Sequence, residues 1–128
     1  MQNQHDINWE SHRNFNVWRY GIGHLQLLLA SKDTDREAGL AVRFEGVEYM
    51  QLIRTFRNLR ITTADETQLQ EVEASGLATP PSRPLLVLAL HHDNGVGLIA
   101  CSRLTIGSFQ GQPTTDFDTV QLHSTATR

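Results

Sequence analysis

The stretch "LLVLALHHDNGVGLIACSRL" (residues 85–104) decides the fold of this chain. Two apolar runs flank Asn94-Gly95, and an Asn-Gly pair between such runs is the strongest short-range signal for a β-hairpin. With those two residues at the centre of the turn, Leu90 lies opposite Ile99, Leu88 opposite Cys101 and Leu86 opposite Arg103. The other face then pairs Ala89 with Ala100, Val87 with Ser102 and Leu85 with Leu104. Both faces are largely apolar, as a central strand pair covered on both sides requires. One face can take the remaining sheet; the other, with smaller side chains, suits a helix or a second subunit.

Working outward, strand patterns recur. Phe15, Val17, Trp18, Tyr20 and Ile22 are the aromatic and β-branched types that strands favour. Gly21 and Gly23 mark a bulge or tight bend, and Leu25, Leu27 and Leu29 follow at period two. The polar segment 31–39 separates these from Leu40, Val42 and Phe44, which alternate with Ala41, Arg43 and Glu45 in the manner of a half-buried strand. Residues 47–54 and 59–62 supply two further strands. One helix is indicated, near residues 65–75: Thr63 or Asp65 can serve as its N-cap and Gly76 as its C-terminal stop. Its apolar face is thin, so it must lie on the surface of something else.

The expected fold is therefore mainly β (α+β), an antiparallel barrel or sandwich of about seven strands with one short surface helix. Residues 1–13 read as a flexible arm that can fold back through Trp9. Residues 14–122 form the single domain, and 123–128 a frayed tail.

Composition narrows the function classes. The 128 residues are 39% apolar and 20% charged with a net charge of −3, values of a globular domain. No run of Lys/Arg is present that would neutralise successive phosphates. Arginines 43, 54, 57 and 60 are the nearest approach, and alternation spreads them over more than one face. Cys101 is the only cysteine, so no internal disulfide can form, which fits a reducing compartment. The N-terminus lacks the apolar core of a signal peptide, and the apolar run 85–90 is far below the roughly 20 residues of a membrane span. The expectation is a cytoplasmic protein with neither membrane nor nucleic acid as partner.

Several residues could carry chemistry. His91, His92 and Asp93 sit together at the hairpin tip, but successive strand residues face opposite ways, so both imidazoles cannot enter one site while extended. A metal centre would need further ligands, with His24 and Asp93 as candidates, and no HExxH, HxH or CxxC spacing is present. The expectation is a structural tip with no metal and no cofactor. His24, in "YGIGH", could be a general base beside Tyr20, although a strand-start histidine satisfied by the backbone is the plainer reading. "GIG" does not match a phosphate loop. Cys101 faces leucines and reads as a small buried hydrophobe. The pairs Asp33/Asp35 and Asp116/Asp118 are loop carboxylates, and none of the serines stands in a GxSxG context.

The strings "FNVWRYGIGHLQLLLAS", "LAVRFEGVEYMQL" and "NLRIT", within residues 15–62, resemble small uncharacterised bacterial β-rich proteins. The resemblance implies a bacterial origin and a β-rich fold; it supplies no activity.

Without a catalytic signature, the preferred function is a non-enzymatic protein–protein interaction or assembly module, of the immunity-protein or accessory-subunit kind. Its partner is another protein or a second copy, as in a homodimer. The contact is expected on the outer hairpin face (Leu85, Val87, Leu98, Leu104) or around Trp18 and Tyr20, which lie two apart and so share a face. The alternative is a small enzyme or ligand-binding barrel with a polar site drawn from Tyr20, His24, His91, His92 and Asp93.

Overall fold

In the computed structural model, residues 7–21, 25–31, 38–75, 85–109 and 118–121 are described, the last four by their backbone. They form eleven strands and one helix. The strands are β1 (Asn8–Glu10), β2 (Phe15–Gly21), β3 (Gln26–Ser31), β4 (Gly39–Glu45), β5 (Tyr49–Gln51) and β6 (Thr55–Phe56). Then come β7 (Arg60–Thr63), α1 (Glu66–Ala74), β8 (Leu86–His92), β9 (Gly95–Cys101), β10 (Arg103–Phe109) and β11 (Asp118–Gln121). Every pairing is antiparallel, in one sheet ordered β1-β7-β8-β9-β5 and a second ordered β11-β10-β4-β3-β2-β6.

The sheets are joined where chains cross from one to the other side by side. At one corner β4 runs into β5 alongside β9 running into β10: Ser102 N–H donates to the Glu45 carbonyl at 2.8 Å, and Glu48 N–H to the Ala100 carbonyl at 2.8 Å. At the other, β1 runs into β2 alongside β6 running into β7, with Leu59 N–H donating to Arg13 at 3.1 Å and Ser11 N–H to Leu59 at 3.2 Å. Four bent pairs and three single strands make seven extended segments. Six of them pair in a ring: β6/β7, β8, β9/β10, β4/β5, β3 and β1/β2, which returns to β6/β7. The architecture is a flattened barrel with two sheet-like walls, strands switching walls at bends.

The core fills the space between the walls. Phe15, Leu27, Leu29, Val42 and Phe44 meet Ile61, Leu86, Leu88, Leu90, Ile99 and Cys101, all buried. Trp9 and Ile7 belong to the same cluster, and the Trp9 indole meets the Phe15 ring edge-on at 6.0 Å. Residues 8–10 pair with β7, so the domain starts by residue 7 and the expected arm 1–13 is corrected. Trp9 does fold back, but within a strand, because Ile7 and Thr63 exchange hydrogen bonds that hold it to the sheet. Residues 1–6 and 122–128, including the expected tail, lie outside the described residues.

The hairpin forms one step from its expected register. His92 pairs with Gly95, Leu88 with Ile99 and Leu86 with Cys101, so Asp93-Asn94 and not Asn94-Gly95 forms the turn. The positive φ (148°) falls at Gly95, outside the two central positions. The partner of every residue is displaced by two places, an even number, and the faces are unchanged; an odd slip would have turned them over.

The second face carries Val87, Ala89, Leu98 and Ala100, and α1 lies across it through Val72, with Leu69 beside it. Asp65 is the N-cap: Gln68 N–H donates to its Oδ1 at 2.8 Å, and Asp65 N–H to Gln68 Oε1 at 2.9 Å. This reciprocal pair satisfies two of the helix's otherwise free donors. Ala64 N–H donates to the Val87 carbonyl at 2.9 Å, pinning the helix entry to β8.

Candidate functional site

The hairpin tip docks on the turn between β6 and β7. Asp93 N–H donates to the Arg57 carbonyl at 3.1 Å. The Asn58 side-chain amide reaches both Asp93 carboxylate oxygens, at 3.1 and 3.2 Å. Asn58 holds this pose at a φ of 55°, a conformation asparagine tolerates better than most residues, and its own N–H donates to Asn14 Oδ1 at 3.2 Å. These bonds fasten the two turns together.

The histidines diverge, as strand alternation demands. His92 points toward the core side, its ring edge-on to Phe56 at 5.4 Å, and its Nδ1 accepts from Asn94 N–H at 3.2 Å. His91 stands on the helix-bearing face with Nε2 at 2.9 Å from the Thr62 hydroxyl. Burial, and next the Arg60 guanidinium opposite it in register, lower the His91 pKa. Each group of the His91-His92-Asp93 trio is thus engaged in a local bond that stabilises the tip. Among the described residues no group of three or more His, Cys, Asp or Glu is placed to hold a metal ion. His24 lies outside the described residues. Tyr20 packs half-buried against the main core. Cys101 is fully buried and its thiol is pushed up to about 12 by that burial, a value that keeps it un-ionised at neutral pH.

The expected apolar contact surface is redistributed. Leu85, Val87 and Leu98 are buried beneath α1, so that patch is corrected: the chain covers it itself. Leu104 is not on that face at all. Inward positions run Ile99, Cys101, then Leu104 and Ile106, a step of three across Ser102 where the strand turns the corner. That step carries Leu104 into the main core.

A similar slip separates Trp18 from Tyr20. Val17 pairs with Leu29 and Arg19 with Leu28, leaving Trp18 as an extra residue in a β-bulge. Val17 and Tyr20 both pack inward, while Trp18 is turned out and 47% exposed. Sharing a face, as regular alternation would have them, is therefore corrected. The pairing of β2 with β6 continues beyond Thr55, since Val17 N–H donates to the Arg54 carbonyl at 2.9 Å. The register so extended sets Trp18 across from Ile53, itself 44% exposed. Sequence reasoning did not single out Ile53: residues 47–54 read as one strand, whereas β5 ends at Gln51 and leaves Ile53 beyond it.

No family model, curated protein or solved structure matches the chain. Among the described residues no helix is long and apolar enough to cross a membrane.

Proposed function

We propose that the chain is a non-enzymatic protein–protein binding module whose contact centres on Trp18. The observation that carries this reading is the bulge that lifts a large aromatic out of a strand whose other aromatics face the core. Burying an indole is a large gain for a complex, and tryptophan is among the side chains that dominate binding energy at interfaces. Of the polar residues that would serve an enzymatic reading, His91, His92 and Asp93 are occupied in the hairpin-tip network and Tyr20 packs against the core elsewhere. A bacterial cytoplasm is the compartment we propose, in keeping with the single, buried cysteine. The partner is another polypeptide, whether a second copy or an unlike chain.

Photo-crosslinking tests this directly. With p-benzoylphenylalanine in place of Trp18, irradiation in the native host should yield a discrete covalent adduct with a polypeptide. The same probe at Val96, 46% exposed on a different strand, should not. Equal labelling from both positions, or no adduct from position 18, would defeat the proposal.

A further inference from the structure

We infer that the segment docking on Trp18 is acidic and belongs to an unlike chain; this rests on the binding reading above. The chain as a whole is acidic, with 14 Asp and Glu against 11 Lys and Arg. Among the described residues, the stretches that carry Trp18 and Ile53 have the opposite sign. Along this seam Phe15 and Asn16 pair with Phe56 and Thr55, and Val17 with Arg54; the residues on its two sides, 15–21 and 52–57, contain Arg19, Arg54 and Arg57 and no carboxylate. All three arginines are exposed, and among the described residues none is in an ion pair. Arg43 and Arg103, by contrast, lie 3.3 and 3.7 Å from the shared carboxylate of Glu45.

Arg19 pairs with outward-facing Leu28 and so projects on the side of Trp18. Trp18 and Ile53 then form an apolar centre with guanidinium groups beside it. Such a centre suits a partner that offers one apolar side chain flanked by carboxylates, which guanidinium forks bind in pairs. A second copy of this chain fits poorly. Among the described residues its acidic element is α1, which exposes Glu66, Glu71 and Glu73 but turns Leu69 and Val72 against its own barrel wall. Asp116-Phe117-Asp118 carries the pattern in sequence, and an adduct with it would overturn the inference. A nucleic acid also fits poorly, because three arginines divided between two strand faces do not track a phosphate backbone, and the residue across from Trp18 is aliphatic where base stacking would use a ring.

The test reads the adduct formed from p-benzoylphenylalanine at position 18. Its partner peptide is sequenced after digestion, and the yield is compared in Arg19→Glu/Arg57→Glu and Arg19→Lys/Arg57→Lys backgrounds. The expected peptide comes from an unlike chain and carries carboxylates within a few residues of the attachment point. Charge reversal should lower the yield about tenfold, the Lys background should largely retain it, and added salt should weaken it. A neutral or basic peptide, a peptide of this chain, a nucleic-acid adduct, or indifference to charge reversal would each overturn the inference while leaving Trp18 as a contact. Absence of any adduct would remove both readings.

Discussion

Gly46→Ala should be among the most damaging single-methyl changes this protein can suffer. Gly46 stands at the corner where β4 passes into β5, with a φ of 65°. An alanine there adopts a left-handed backbone at a cost of about 1 kcal/mol. Its methyl carbon would lie 2.9 Å from the Ser102 Cβ, nearer still to Ser102 Oγ, and 3.5 Å from the Ser102 nitrogen. Ser102 cannot withdraw easily, because its N–H is bonded to the Glu45 carbonyl across the same corner. Overpacking of this kind costs about 2 kcal/mol, so the sum is about 3 kcal/mol, or about 10 °C in Tm for a domain of this size. Urea unfolding followed by tryptophan emission measures it. The decisive control is Ser102→Gly, which removes the obstructing side chain but not the backbone strain. In that background Gly46→Ala should cost only about 1 kcal/mol, a coupling of about 2 kcal/mol. Ser102 Oγ is buried without a hydrogen-bond partner, so deleting it breaks no bond of its own. An undiminished loss in the glycine background, or a loss below about 0.5 kcal/mol in the wild type, would refute the account of the corner.

Val72→Ala should destabilise by about 2 kcal/mol, since this valine is the helix's one fully buried side chain; a shift of less than about 0.5 kcal/mol in chemical denaturation would mean that α1 is not seated as described. Cys101 should resist a thiol reagent at pH 8 in the native protein and react at once in urea, and prompt native labelling would contradict its burial. His91 is shifted down from its ordinary value of 6.5, so the unfolded chain takes up the proton first as the pH falls. Its contribution is complete above the ordinary value and declines as the pH drops toward the lowered one. The stability difference between wild type and His91→Gln should therefore shrink from pH 7 to pH 5; a constant difference would refute this. Trp18→Ala should leave stability nearly unchanged, whereas Trp9→Ala should cost about 3 kcal/mol or more, and denaturation curves of the two separate a surface indole from a core one.

Period-two patterning made most of the barrel legible. Leu25–Leu29 and Leu40–Phe44 read as strands because their alternation is regular, the hairpin arms as two apolar runs about Asn94-Gly95, and the helix from an N-cap at Thr63 or Asp65, of which the structure uses Asp65. What escaped lies wherever alternation slips by one residue. Trp18, Gly46 and Ser102 each stand at such a slip, and residues beyond each are turned to the opposite face from the one simple counting assigns. Leu104 was misplaced for that reason alone. The Asn94-Gly95 turn moved by one position because Asp93 is drawn to Arg57 and Asn58, which are distant in sequence and so outside any local rule. Of the site, the divergence of His91 and His92 was readable from strand geometry. Ile53 was not, because its exposure depends on which strand lies beside it.

The closed ring also fixes an order of assembly. Its hairpins, β2 with β3, β3 with β4 and β8 with β9, join neighbours along the chain and can form as soon as those residues exist. Two seams cannot. One brings Ile7 to Thr63, 56 residues away, and the other brings β4 to β10. Closing such seams confines long stretches of chain before their contacts repay the lost freedom, so this small domain should fold on the slow side for its length. Until the second seam closes at residues 103–109, β4 presents an open edge to any neighbouring chain, and the interval between the two seams is when the protein is most exposed to misassembly.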